Sequence, residues 1–196
     1  ARRQRQMCIR DRPKSDLLNN RIILVTGASD GIGREAALSY ARYGAQVVLL
    51  GRNAEKLQRV CDEVNAHSQV PALWFTLDLE TATAESCRAL AETLATQVSR
   101  LDGVLHNAGL LGDVIPMDQQ DPATWQRVMR VNIDGTFFLT QALLPLLLKS
   151  DAASLVFTSS SVGRQGRAGW GAYSVSKFAT EGMMQVLAEE YDARQL

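Results

Sequence analysis

The chain has 196 residues, 46% of them hydrophobic, with 21 basic side chains balanced by 21 acidic ones, which suits one domain with a sizeable core. The balance is uneven. Residues 1–14 hold Arg2, Arg3, Arg5, Arg10, Arg12 and Lys14 against Asp11 alone, a net charge of +5, so the other 182 residues carry −5, which argues against a nucleic-acid surface on the folded part.

The head, ARRQRQMCIRDRPK, has no apolar periodicity and is followed by SDLLNNR instead of an apolar run. It therefore reads as a disordered or non-native extension, not a signal peptide, ahead of a single domain over 15–196. The longest apolar run, ALLPLLL at 142–148, is too short to span a bilayer and is interrupted by Pro145. Cys8, Cys61 and Cys87 are odd in number and form no CxxC pair, so neither a disulfide framework nor a metal site is expected. A soluble protein of the reducing cytoplasm fits these features.

In chain order, RIILVTG (21–27) reads as a buried strand and 33–44 as a helix ending at Gly44. A second strand over 45–51 leads to a helix over about 53–66 that opens at Asn53. The third strand is expected at 70–79 and its helix at about 82–99. Strand four covers 101–109, one or two helices fill about 122–149, strand five covers 153–161, and a last helix follows at about 172–192. Strands rich in Val, Ile and Leu without alternation belong to a parallel sheet covered on both faces. The alternation of strand and helix predicts a doubly wound α/β fold.

Ligands in such folds sit at the carboxyl ends of the strands. After strand one comes TGASDGIG, with Gly27, Gly31 and Gly33 spaced as G-x-x-x-G-x-G. Glycines of this kind allow a tight turn and a close approach of backbone to a pyrophosphate at the next helix N-terminus. No Lys-Ser/Thr follows, which weighs against an NTPase. At the end of strand two, where a carboxylate would bind the ribose of NAD, Arg52 stands instead. It is either a partner for the 2′-phosphate of NADP or a solvated surface arginine. Asp78 and Leu79 offer an adenine contact and an apolar wall, or else Asp78 is a helix cap. In HNAG (106–109), Ala108 and Gly109 leave room for a flat ring, Asn107 is expected to fix neighbouring strands through main-chain hydrogen bonds, and His106 reads as a satisfied, partly buried histidine. His67 carries no signal.

The stretch GAYSVSKFATEG places Tyr173 and Lys177 at i and i+4, on one face of the last helix. An ammonium beside a phenol favours the phenolate and lowers a pKa ordinarily near ~10, toward values useful for general acid–base work. Ser160 lies thirteen residues before Tyr173, at the end of strand five.

With these residues together, about 20–196 resembles the short-chain dehydrogenase/reductase family of NAD(P)-dependent oxidoreductases. The segments LDGVLHNAGLLGD and FTSSSVGRQGRAGWGAYSVSKFATEGMMQVLAEEY resemble its YciK-type bacterial subgroup. The resemblance implies that Gly27, Ser29, Gly31, Ile32, Gly33, Arg52, Asp78, Leu79, Asn107, Ala108 and Gly109, with Tyr173 and Lys177, bind NADP in preference to NAD. It implies a catalytic set of Asn132, Ser160, Tyr173 and Lys177, with Asn132 holding a water-linked relay to the lysine. A small carbonyl or alcohol substrate and a homodimer or homotetramer are implied as well. The rival reading is a catalytically idle nucleotide-binding module, and an epimerase of the extended branch is disfavoured by the glycine spacing. The family's sheet has six strands in the order 3-2-1-4-5-6 and only five are counted before Leu196. The chain is therefore expected to be a fragment lacking part of the substrate-pocket wall, with strand five as an exposed edge, aggregation-prone and nearly inactive as it stands.

Overall fold

The structure, a computed structural model, describes residues 13–191; nearly all of the basic head, with Cys8, lies outside the described residues. Five parallel strands form one sheet in the order β3-β2-β1-β4-β5, with β1 at Ile22–Thr26, β2 at Gln46–Gly51, β3 at Leu73–Thr76, β4 at Gly103–His106 and β5 at Ser154–Phe157. The doubly wound α/β fold is as expected. Helices α1 (Gly31–Arg42) and α2 (Ala54–Asn65) cover one face, and α3 (Ala84–Ala95) and α5 (Gly135–Leu147) the other. Neighbouring residues of one strand serve opposite cores: Leu24, Val48, Leu50 and Val104 pack toward α3 and α5, while Val25, Val47, Leu49 and Leu105 pack toward α1 and α2. This is why the strand sequences read as continuous apolar runs.

Caps fix where the helices begin. Asp30 accepts from the N–H of Gly31, Asn53 from Lys56, Thr83 from Ser86 and Asp121 from Thr124. Helix α1 starts two residues before the expected position because Asp30 supplies that cap. Strand β3 is much shorter than 70–79. Pro71 brings no donor at one end, and at the other the Asp78 carboxylate accepts from the Glu80 N–H at 3.0 Å and turns the chain away. Strand β5 likewise stops at Phe157, and Ser160 caps a 3-10 turn over Ser161–Gly163. It is the edge of the sheet, with Val156 48% exposed.

The region 122–149 resolves into α4 (Pro122–Met129) and α5, joined by a π-helical turn at Arg130–Asp134. The wider turn breaks the regular spacing and buries the Asn132 side chain. The last helix, α6, runs Gly171–Tyr191.

At the opposite end of the sheet from the strands' carboxyl ends, Asp102 ties β1, β4 and the β5 approach together. Its side chain is 1% exposed and accepts from Arg100 Nε at 2.9 Å, Arg21 Nη1 at 3.3 Å, Ser150 Oγ at 2.7 Å and the Ile22 N–H at 2.9 Å. Burial pushes the carboxyl pKa up, but the donors from Arg100, Ser150 and Ile22, with the Arg100 charge, outweigh it and hold it below its ordinary value. The folded pKa is depressed, so the stabilisation is full above the unfolded value near ~3.9 and is lost as pH falls through the lower folded one. Asp102→Asn should cost about 2 kcal/mol by denaturant unfolding at neutral pH, because two partly exposed arginines keep the pair from the full buried-pair value. The difference from wild type should be constant above about pH 5 and shrink below about pH 4.

Candidate active site

The carboxyl ends of the strands form a cleft lined by Thr26, Gly27, Ser29, Leu50, Gly51, Arg52, Leu77, Asp78, Leu79, Glu80, Ala108, Gly109, Leu110 and Val131. Seven of these carry the sequence expectation; Thr26, Glu80 and Leu110 were not foreseen. The Thr26 hydroxyl accepts from both the Asn107 and Ala108 N–H groups, each at 3.0 Å, which sews β1 to β4 at the cleft floor.

The three glycines do different work. Gly31 has φ +52 with open space around it, so its need is conformational. Gly33 has ordinary torsions but no room: a Cβ there would lie 2.3 Å from the Gly27 carbonyl oxygen and 2.7 Å from Asn107 Nδ2. Ile32, expected at the cofactor, does not line the cleft. Its side chain is 71% exposed along an outer groove with Asp30 and Glu35.

Arg52 is exposed at the cleft mouth. The carboxylate of Glu80 stands on the same cleft wall, but Arg127 engages it at 2.8 and 3.2 Å, and that pairing, aided less strongly by the Arg52 charge, holds its pKa below the usual range. Asp78 lines the cleft too. The helix-cap reading fails for it, since Thr83 caps α3; Asp78 instead closes a local turn with Glu80.

His106 corrects the expectation of a satisfied, partly buried side chain. It is 4% exposed, its Nε2 lies 3.0 Å from Thr140 Oγ1, and its ring stacks on Phe157 at 4.8 Å, while Nδ1 has no partner. Burial drives its pKa down to about 3. Asn107 also differs. Its side chain accepts from the Thr158 hydroxyl at 3.5 Å, while Nδ2 lies against the Gly27–Gly33 turn; the bond to β1 is made by its own N–H, to the Thr26 hydroxyl.

The cleft ends at Gly109, and there α6 arrives. A Cβ on Gly109 would lie 3.7 Å from Lys177 Nζ and 3.5 Å from Asn132 Oδ1. Lys177 is 5% exposed; Nζ donates to the Thr158 carbonyl at 2.6 Å and sits 5.4 Å from the centroid of the Tyr173 ring. Burial pushes the ammonium pKa down. Asn132 clamps Leu110: its Oδ1 accepts from the Leu110 N–H at 2.7 Å and its Nδ2 donates to the Leu110 carbonyl at 2.9 Å and to Ser176 Oγ at 2.9 Å. Ser160 accepts from the Val162 N–H at 3.4 Å. The turn it caps is pressed onto α6, because Ser174 Oγ donates to the Val162 carbonyl at 2.6 Å and a Cβ on Gly163 would lie 2.8 Å from Lys177 Cβ. Asn132 and Lys177 thus meet at Gly109, with Tyr173 one helical turn from Lys177 and the turn capped by Ser160 packed against the same helix. Among the described residues no group of His, Cys, Asp and Glu is arranged to hold a metal, and no helix is long and apolar enough to cross a membrane.

Residues 21–196 match the short chain dehydrogenase family. The chain is 70% identical over 182 residues to the uncharacterized oxidoreductase YciK of Escherichia coli K12, covering 93% of this chain and 72% of that protein. It superposes with a TM-score of 0.91 on a short chain dehydrogenase from Escherichia coli CFT073 complexed with NADPH, at 71% identity over 93% of this chain and 76% of that one. A short chain dehydrogenase from Shigella flexneri 2a complexed with NADP gives a TM-score of 0.91 at 69% identity, over 92% and 76% of the two chains. The cleft geometry, the family match and these close relatives lead to one conclusion: the chain belongs to the short chain dehydrogenase family of oxidoreductases.

Proposed function

We propose that this protein interconverts a carbonyl compound and its alcohol with NADP(H), Tyr173 acting as general acid in reduction and general base in oxidation. The observation that carries the reading is the buried Lys177, one helical turn from Tyr173, with its ammonium reaching the cleft end at Gly109. The cleft fits a dinucleotide, because Gly31 at the start of α1 has open space around it, where a pyrophosphate can approach the backbone. Gly27, Ser29, Gly31, Gly33 and the main chain of Ile32 are assigned to the pyrophosphate, Asp78 and Leu79 to the adenine, and Asn107, Ala108 and Gly109 to the nicotinamide. The relatives bound to NADPH and NADP support the choice of cofactor, and Arg52, with the Glu80 carboxylate near it engaged by Arg127, supports NADP over NAD.

When bound, the reduced nicotinamide supplies hydride to the carbonyl carbon. The residues of this chain deal with the oxygen. As it gains charge, the Tyr173 phenol donates its proton and the Ser160 hydroxyl donates a hydrogen bond. Lys177 is held by the Thr158 carbonyl, and its burial makes the ammonium a readier proton source for the phenol. Asn132 acts one step back: it fixes Leu110, and with it the backbone that passes Gly109. The exposed Phe137 on α5, with Val175, Phe178 and Val186 on α6, supplies an apolar surface for a second copy of the chain.

Tyr173→Phe should lower kcat for carbonyl reduction by at least about 100-fold while NADPH affinity stays within a few-fold, since the ring still packs and only the proton donor is gone. Near wild-type kcat would remove Tyr173 as the acid. Arg52→Asp should shift the ratio of NADP to NAD affinity toward NAD by at least about tenfold, measured by equilibrium titration with both cofactors. An unchanged ratio would take Arg52 out of cofactor selection.

A further inference from the structure

We infer that Arg127, a residue of α4 that does not itself line the cleft, helps set the preference for NADP over NAD by neutralising Glu80, so that Arg52 meets the 2′-phosphate with no competing carboxylate. The inference rests on the reading of Arg52 above and adds a positioning residue that acts on the same selectivity at one remove.

The register of the sheet brings the charged groups together. Gly51 at the end of β2 pairs with Thr76 at the end of β3, and just beyond, the Leu77 N–H donates to the Gly51 carbonyl at 2.9 Å. Arg52 follows directly from one strand end, and Asp78 and Glu80 from the other, and all three line one cleft. The turn between the two acids is tight, with the Asp78 carboxylate accepting from the Glu80 N–H at 3.0 Å. A wall with two carboxylates suits the hydroxyls of an NAD ribose, not a phosphate that carries about −1.5 to −2 charge at neutral pH. Arg52 can select the phosphate only if something else offsets those acids.

Arg127 is placed to do so. Its Nε and Nη2 donate to the two oxygens of Glu80 at 2.8 and 3.2 Å, the fork that a guanidinium offers a carboxylate and an ammonium cannot. This pairing holds the Glu80 carboxyl below its usual range, so the group is ionised at neutral pH and would repel a phosphate if left alone. Asp78 acts on the same guanidinium, more weakly than Glu80, and both hold its proton more firmly. The Arg52 charge is also felt at Glu80, and that attraction would grow into an ion pair once Arg127 were gone. With Arg127 in place, Arg52 is exposed and has no hydrogen bond or ion pair among the described residues. Stability alone does not account for the bridge, since its side chains are 52% and 28% exposed and such pairs contribute little.

The test measures dissociation constants of NADPH and NADH for the whole chain, by energy transfer from tryptophan to the nicotinamide at low salt. Arg127→Gln, at an exposed position, should weaken NADPH by at least about tenfold and NADH by less than about threefold. Adding Glu80→Gln should return NADPH to within about threefold of wild type, because the acid has left with its counter-ion. Glu80→Gln alone should leave NADPH bound at least as tightly as in the wild type. Arg127→Lys, which keeps the charge, should hold NADPH to within about threefold. Equal weakening of both cofactors by Arg127→Gln, or a loss that Glu80→Gln does not restore, overturns the inference, since a bridge that only braced the turn would act on both cofactors and would not be repaired by deleting its other half. A cofactor ratio untouched by Arg127→Gln but shifted by Arg52→Asp overturns Arg127 and leaves Arg52 standing. A wild-type chain that binds neither cofactor overturns both. Selective loss and repair in a protein that reduces no carbonyl compound support the inference and overturn the oxidoreductase reading.

Discussion

Everything at the active end of this molecule depends on how closely the first turn approaches the end of β4. The Thr26 hydroxyl takes two amide hydrogens from the β4 extension, and the Gly27–Gly33 turn closes so tightly that Gly33 has no space for a side chain. Two strands that are neighbours in space but some eighty residues apart in sequence are thereby locked at one level. Once they are, the C-terminal ends of β2 and β3 are placed by register, because Thr26 pairs with Leu50 and Gly51 with Thr76. The cleft is what remains between these ends and the residues that turn away from them. A methyl group at Gly33 would have to displace backbone, and backbone here is the cleft floor.

The second half of the site is built by a departure from regular helix. An unbroken α-helix through Arg130–Asp134 would keep its spacing, whereas the π-helical turn carries Asn132 inward to bond both backbone groups of Leu110. The same asparagine donates to Ser176, one residue before Lys177, so a single buried amide couples the loop after β4 to α6. Lys177 in turn reaches across to the carbonyl of Thr158 beyond β5. Asn132, Ser176 and Lys177 are buried and each has a hydrogen-bond partner, which is the condition under which such a network fixes geometry instead of costing stability.

Local features were legible in the sequence. The i, i+4 spacing of Tyr173 and Lys177 puts both on the inner face of α6, and the glycine spacing, the Asn53 cap and the strand order needed only short windows of chain and the rules of parallel sheets. What escaped was set by partners far away in sequence. Glu80 gives no signal in the sequence, because only the fold brings Arg127 to it, 47 residues on. Gln120 gave no signal, because its work is to hold two carbonyls and fill the space beside a glycine of another element. Apolar residues continue past Thr76 and so predict a longer β3, but after Leu77, whose N–H still donates to the Gly51 carbonyl, the chain turns away at Asp78.

His106 shows how much a single hydrogen-bond count can decide. The Thr140 hydroxyl has one hydrogen, and it is donated to the Thr136 carbonyl at 2.7 Å, so toward His106 it acts as acceptor and Nε2 carries the proton. Nδ1 is then a bare lone pair in a buried, stacked setting, and burial keeps the ring neutral down to about pH 3. An imidazole with its one proton committed and its other nitrogen without a partner has nothing to exchange with a substrate at neutral pH. Its place beside Phe157, its cross-strand partner, makes it a packing element that holds β5 to β4. The other histidine, His67, lies in the loop after α2, near Asn19 and Gly44 and away from the cleft. Neither histidine therefore competes with the proton transfer proposed for Tyr173 and for the lysine whose burial lowers its hold on its own proton.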